Sequence, residues 1–345
     1  MKRTIPLSIL ACVAILLVAP VVSVQAATPP YHVADVVLPD VALRAGVTAD
    51  LHLTVYATAR RPCAGTVFAQ HGAWHTAAVW EPLAAALFAR TLPGPGPCRV
   101  IALDLPGHGR GSLPVGALFG ELTLNDYVTA VIATLERLKD LGVRPQTLVG
   151  HSLGGMLAQL VQQRLVAADT SLRRAYGVKH AVLRGSANPE PIPSQGVDYA
   201  AVFAPFTIYT PELGGQVFFP APLWRLSMFG NLAGGFGPGA PSAEEIVARG
   251  YIEPMSEALV EDFVDRPYVD EGLFSKRLGT TLTVVSFEQD RLVRPVGNEA
   301  LYLHLTGDGS GRRFVVVPGL YAVHDLFISD PAALLTGMGG LARAF

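Results

Sequence analysis

A chain of 345 residues, half of them apolar and carrying a formal net charge of −2, is long enough for one large globular domain with an inserted subdomain. The near balance of charge, without any basic block, argues against nucleic-acid binding. The spacings Gly-x4-Gly-Lys-Ser/Thr and, after a strand, Gly-x-Gly-x-x-Gly are missing, which sets nucleotide binding aside. At the start, Lys2 and Arg3 precede an apolar run over 5–22, and Val24-Gln25-Ala26 completes a small-residue cleavage pattern. Residues 1–26 therefore read as a secretory signal peptide cut after Ala26. An uncleaved anchor is the alternative, opposed by Pro6 and Pro20, and lipid attachment at Cys12 would leave most of the apolar run on the wrong side of the cut.

Residues 31–58 alternate like two strands about a turn at Ala45-Gly46, an antiparallel hairpin at a sheet edge. Residues 65–70 read as a buried strand ending in His71-Gly72-Ala73-Trp74-His75, with a helix expected over 77–90. A second buried strand over 99–103 runs into the glycine-rich loop from Asp104 to Ser112. Thr123 with Asp126 forms a capping box for a helix with its apolar stripe on Val128, Val131, Ile132, Leu135 and Leu138. After a strand over 146–149 and the turn at Ser152, Met156, Leu157, Leu160, Val161 and Leu165 recur at helical spacing, and 180–183 supplies one more strand. Alternation then stops in a stretch crowded with proline, glycine and aromatic residues, within which Ser242 with Glu245 caps one helix and 256–264 reads as another. Strands over 280–287 and 314–317 flank a helix over 298–305, and Asp330-Pro331 opens a terminal helix. The pattern predicts an α/β class with a doubly wound, mostly parallel sheet: a core over 27–189 and 278–345, interrupted by a cap over 190–277.

The chain is organised around Gly150-His-Ser-Leu-Gly-Gly155, which contains Gly-x-Ser-x-Gly on a strand-to-helix turn. So tight a turn lifts the Ser152 hydroxyl above the sheet, and the helix that starts there points N–H groups and its positive dipole end at the same spot. Together with His71-Gly72, Asp104-x-x-Gly-x-Gly-x-Gly-Ser112, Asp290 and His324, this motif resembles the α/β-hydrolase superfamily over nearly all of the mature chain. The stretch His71-Gly-Ala-Trp-His75 with Trp80 is further similar to the methylesterase-like and hydroxynitrile-lyase-like branch.

The resemblance implies a nucleophile, acid and base in the chain order Ser, Asp, His. Ser152 needs a base within reach and a third group to fix the base's tautomer. His324, in a loop past the last strand, is the candidate base, and Asp290, ending a strand beside Arg291, the candidate acid. Glu190, past the preceding strand, is the competing acid, and Asp104 is read as a loop-ordering carboxylate; the side chain of Asp325, next to His324, is expected to point elsewhere. The oxyanion donors are expected to be the backbone N–H groups of Leu153 and Ala73. His71 and His151 are read as shaping turns, and His75 and His108 as lining the mouth of a pocket. Trp74, His75, His151, Phe206, Phe219 and Trp224 are the candidate pocket residues, and Phe203, Phe218 and Phe236 add to an aromatic cap suited to a hydrophobic acyl or alcohol group. No His-Glu-x-x-His or Cys-x-x-Cys spacing occurs, so neither a metal nor any cofactor is expected.

The expected activity is that of an exported serine hydrolase cleaving small-molecule carboxylic esters, with thioesterase, lactonase or peptidase activity, or a non-catalytic binding role, as alternatives. It would be periplasmic or secreted, meeting a membrane only through the signal peptide or the hydrophobic cap. Cys63 and Cys98 each stand just before a buried strand, and in this fold those strands are parallel neighbours about 4.8 Å apart, so a disulfide between them is expected.

Overall fold

The computed structural model describes residues 31–59, 63, 65–89, 96–192, 204–270, 272–274, 279–306 and 312–339. The signal-like segment over 1–26, Cys12 and Phe203 lie outside them. Eleven strands occur among the described residues: β1 (His32–Arg44), β2 (Val47–Ala57), β3 (Thr66–Gln70), β4 (Arg99–Asp104), β5 (Thr147–His151), β6 (His180–Arg184), β7 (Thr207–Ile208), β8 (Gln216–Val217), β9 (Met255–Ser256), β10 (Thr281–Phe287) and β11 (Arg313–Val317). Eight of them form one sheet in the order β1-β2-β4-β3-β5-β6-β10-β11. β1 and β2 are antiparallel to each other and β2 to β4, whereas every other neighbouring pair runs parallel. The expected hairpin is thus present and puts β1 at the sheet's edge. β3 and β5 are buried at every residue, as parallel strands covered on both faces must be.

The helices are α1 (Glu81–Ala89), α2 (Leu124–Asp140), α3 (Leu153–Ala167), α4 (Leu172–Tyr176), α5 (Ala221–Phe229), α6 (Ala243–Ala248), α7 (Glu257–Asp265), α8 (Pro295–Thr306), α9 (Leu326–Ser329) and α10 (Pro331–Gly337). From β3 the chain steps to β4 on one side, then returns past β3 to β5 and on to β6. Right-handed crossovers then put α1 on one face, and α2 and α3 on the other. Accordingly α2 packs on α3, and α1 packs on α9 and α10. The reversal at β3 and β5 opens a crevice beyond their carboxyl ends, where His71–His75 and Ser152 lie.

Local signals explain most helix starts. Thr123 N donates to Asp126 Oδ2 at 2.8 Å, Ser242 and Glu245 cap one another reciprocally, and Asp330 Oδ1 accepts from Ala333 N at 2.9 Å. The helix expected over 77–90 begins instead with a 3-10 turn, Ala77–Trp80, in which Val79 N donates to the Thr76 carbonyl three residues back at 3.3 Å while the Thr76 hydroxyl caps Ala78 N.

Between β6 and β10 the insertion holds the small antiparallel sheet β7-β8-β9 and helices α5 to α7. Its two ends are fastened together where Glu190 N donates to the Pro267 carbonyl and Val269 N to the Glu190 carbonyl. At the opposite end of the main sheet, Cys63 and Cys98 form a disulfide with their α-carbons 5.0 Å apart, beside the parallel starts of β3 and β4.

Candidate active site

The turn after β5 is built by close approach. A side-chain carbon at Gly150 would sit 2.4 Å from the Gly154 carbonyl oxygen, and one at Gly154 would sit 2.4 Å from that of Gln70, so neither position accepts any larger residue. Between them Ser152 adopts φ 51° and ψ −118°, a strained conformation for a residue with a β-carbon. Backbone bonds to the segment 184–187 hold it there, Ser152 N to the Arg184 carbonyl at 3.0 Å and Ala187 N to the Ser152 carbonyl at 3.1 Å.

Two loops deliver an acid and an imidazole to this turn. After β10, Leu292 N and Val293 N both donate to Asp290 Oδ1 at 2.8 Å, which aims the other oxygen at His324 Nδ1, 2.7 Å away. The loops are tied together as well, since Gln289 N donates to the Ala322 carbonyl at 2.8 Å. The His324 ring is fully buried, its centroid is 4.6 Å from that of His151, and its Nε2 has no partner among the described residues. Burial opposes a charge on this ring, but the Asp290 carboxylate and its hydrogen bond outweigh it, with Asp325 assisting and Arg184 opposing, so the pKa of His324 is raised above the ordinary histidine value. Glu190 is elsewhere: its carboxylate pairs with Arg266 and is 45% exposed. Asp104 accepts from Ala77 N at 2.6 Å and bonds His52 Nδ1 at 3.0 Å, so it orders the loops around it.

The second wall is the turn 71–75. His71 Nδ1 donates to the Gly72 carbonyl at 2.9 Å and its Nε2 accepts from Leu105 N at 3.2 Å, the arrangement of a neutral ring whose pKa burial pushes down to about 3. Trp74 has φ 59°, and the cap grips it from both sides: Glu253 N donates to its carbonyl at 2.8 Å, and its Nε1 donates to the Val217 carbonyl at 3.0 Å. Its ring lies 5.3 Å from Phe219, which in turn lies 5.2 Å from Phe206. The backbone N–H groups of Ala73 and Leu153 have no backbone or side-chain acceptor among the described residues.

Other expected pocket residues fall differently. His108 is buried against Phe119 and Tyr127, with its Nδ1 3.2 Å from the Pro106 carbonyl, so it lines no mouth. His75 is also fully buried, because its Nε2 and that of His151 both donate to Asp325, at 2.9 and 2.8 Å. Trp224 packs edge-on against His75 and against Phe229. Phe236 stacks under the Arg225 guanidinium, and Phe218 faces solvent.

Sequence reasoning missed Asp325 as a hub and did not single out Arg184. Arg184 is fully buried, its guanidinium over the rings of Phe327 and Trp80, and none of its three side-chain nitrogens has a hydrogen-bond partner among the described residues. Burial lowers its pKa to about 9 against the pull of Asp325. An arginine ending a strand otherwise made of Ala181, Val182 and Leu183 was the available signal. His75, His151 and Asp325 also present ligating atoms within 4.8 Å of one another.

Residues 66–336 match the Alpha/beta hydrolase family. The chain belongs to that family. The α/β-hydrolase fold also relates it to solved structures at low identity. They include a hydrolase from Pseudomonas aeruginosa (19% identity, TM-score 0.57, covering 90% of this chain and 99% of that one) and a thermophilic esterase from Thermogutta terrifontis (18%, 0.61, 88% and 96%). An N-acyl homoserine lactonase is similar at 16% identity and TM-score 0.58, covering 90% of this hydrolase chain and 97% of the other. Among curated proteins no sequence match is found.

Proposed function

We propose that this hydrolase-family protein cleaves carboxylic esters through an acyl-enzyme on Ser152. The observation that carries this is the His324 ring. It is buried beside the strained serine turn, bonded at Nδ1 to Asp290, and has a basic Nε2 that no described group occupies. Nε2 takes the Ser152 proton as Oγ attacks the ester carbonyl, and Asp290 stabilises the imidazolium that forms. The tetrahedral oxyanion is met by the N–H groups of Leu153 and Ala73, each worth on the order of 3 kcal/mol. The imidazolium then protonates the departing alkoxide, and water, deprotonated by Nε2, attacks the acyl carbonyl and releases the acid with Ser152 restored.

The mutually packed rings of Trp74, Phe219 and Phe206 suit an apolar acyl or alcohol group. Export is part of the proposal, supported by the signal-like residues 1–26 and by the Cys63–Cys98 bond. The test is a panel of p-nitrophenyl esters and thioesters of graded acyl length, with lactones, run on wild type and Ser152→Ala, beside fluorophosphonate labelling. Ester turnover that vanishes in Ser152→Ala, with a preference for acyl groups longer than acetyl, is expected. Faster turnover of thioesters or lactones would move the substrate class, and an unlabelled, inactive wild type would leave a binding protein. An intact mass beginning at Ala27 would agree with export.

A further inference from the structure

His324 and Asp325 are consecutive, yet their side chains serve different clusters. Asp325 is fully buried and receives two N–H bonds, from His75 Nε2 at 2.9 Å and from His151 Nε2 at 2.8 Å. His75 follows Ala73 by two residues, and the turn closes on its own ring: a carbon added at Gly72 would meet His75 Nδ1 at 2.9 Å, Ser152 Cβ at 3.0 Å and His151 Cδ2 at 3.2 Å. His151 immediately precedes Ser152. The backbone of Asp325 reaches a fourth segment, its N–H donating to the carbonyl of Met228 in cap helix α5 at 3.0 Å.

From this convergence we propose that Asp325 is a positioning residue, one buried carboxylate fastening the oxyanion turn through His75 and the nucleophile turn through His151 to the loop that carries His324. The inference rests on the acyl-enzyme reading above. An oxyanion hole made of N–H groups from two separate turns works only if both turns keep one distance, and a displacement near 1 Å costs on the order of 100-fold in rate. Asp325 spans that gap. Its charge is kept by the two imidazole donors against the cost of burial, well below the usual carboxylate range, and the Arg184 guanidinium lies near enough to pull on it. Burial, His324 and Arg184 disfavour a charge on His151, so its one proton belongs on Nε2, the nitrogen with the shorter contact. A divalent ion among His75, His151 and Asp325 would have to displace both hydrogen bonds beside a buried cation, so a metal centre is disfavoured.

The test compares Asp325→Asn, His75→Leu and His75→Gln with wild type, using rates normalised to titrated active sites so that misfolded protein does not count. Asp325→Asn keeps the shape but lacks the second acceptor. It is expected to lower kcat about 10- to 100-fold and to weaken inhibition by an ester-like trifluoromethyl ketone, a mimic of the tetrahedral state, by the same factor, with KM within threefold. His75→Leu should show the same paired loss, and His75→Gln, whose amide N–H reaches a similar position, should recover most of it. This second pair decides the matter if Asp325→Asn does not fold. Unchanged kcat and inhibitor affinity in folded variants would overturn the proposal, as would a KM rise that accounts for the loss. Activity lost on dialysis against EDTA and restored by Zn2+ would also overturn it, by making the trio a metal centre. A wild type with neither ester turnover nor Ser152 labelling fails the function itself; an active wild type with unaffected variants fails this inference alone.

Discussion

Two histidine–carboxylate clusters lie back to back at the carboxyl end of the sheet, one fed by His324 and the other by Asp325 of the same loop. They contain the same groups and suit opposite tasks. In the first, Asp290 bonds one nitrogen of His324 and the other is left without a described partner, with the ring's pKa raised. In the second, one carboxylate is shared by two imidazoles, and the proton-bearing Nε2 of each is committed to it. The pKa of His151 is lowered, first by burial and then by the neighbouring His324. The difference lies in the sharing: Asp290 bonds a single imidazole, whereas Asp325 ties together two imidazoles that come from separate turns.

The largest expected effect breaks the comparison at its active half. Ser152→Ala and His324→Ala should each lower kcat on the order of 10^4–10^6-fold, and the double variant should lose little more, because the groups act as a unit. His151→Gln, which keeps a donor for Asp325, should lose no more than about 100-fold. Steady-state kinetics on one activated ester reads all four, and additive losses in the double variant would remove the serine–histidine assignment.

Next in size is the choice of carboxylate. Asp290→Asn leaves His324 in the wrong tautomer and should cost about 10^4-fold in kcat. Glu190→Gln touches only a half-exposed ion pair with Arg266 and should stay within threefold. The opposite ranking would put the acid on the earlier loop.

A smaller, sharper test is the pH dependence. The base works unprotonated, so kcat/KM rises with pH through the pKa of His324 in the free enzyme. Because that pKa is raised, the acid limb should have its midpoint above the ordinary histidine value of about 6.5. Removing the Asp290 charge takes away the attraction that raises it, so the midpoint of residual activity in Asp290→Asn should move to lower pH. A shift in the other direction would contradict the pairing.

The smallest effect on chemistry is expected farthest from both clusters. Replacing Cys63 and Cys98 by alanine should leave kcat within twofold. It should remove roughly 3–4 kcal/mol of stability in the chain-entropy account, for a closed loop of 35 residues. Thermal unfolding with and without reductant measures it.

The sheet, the serine turn and the residues around it were legible in the sequence because their signals are local. Gly150 and Gly154 must be small, Asp126, Glu245 and Asp330 cap helices within three residues, and His324 and Asp290 each follow a strand rich in valine and phenylalanine. The cap was less legible. Strands of two residues, such as β7 and β8, have no period to detect, and α5 begins among prolines and aromatics that also suit a loop. The hub was not legible at all: Asp325 meets partners 174 and 250 residues away, and no spacing along the chain encodes that. His75 read as a pocket residue for the same reason, since what buries it comes from the far end of the chain.

The Cys63–Cys98 bond has a mechanical consequence. The covalent ring it closes contains β3, α1 and the whole turn from His71 to His75. A molecule stretched from its two ends carries tension across the sulfur bridge and bypasses that ring, so the turn bearing Ala73 and His75 is shielded from the load. In force spectroscopy the oxidised chain should extend less than the reduced one by on the order of 120 Å, the length of 35 residues drawn out.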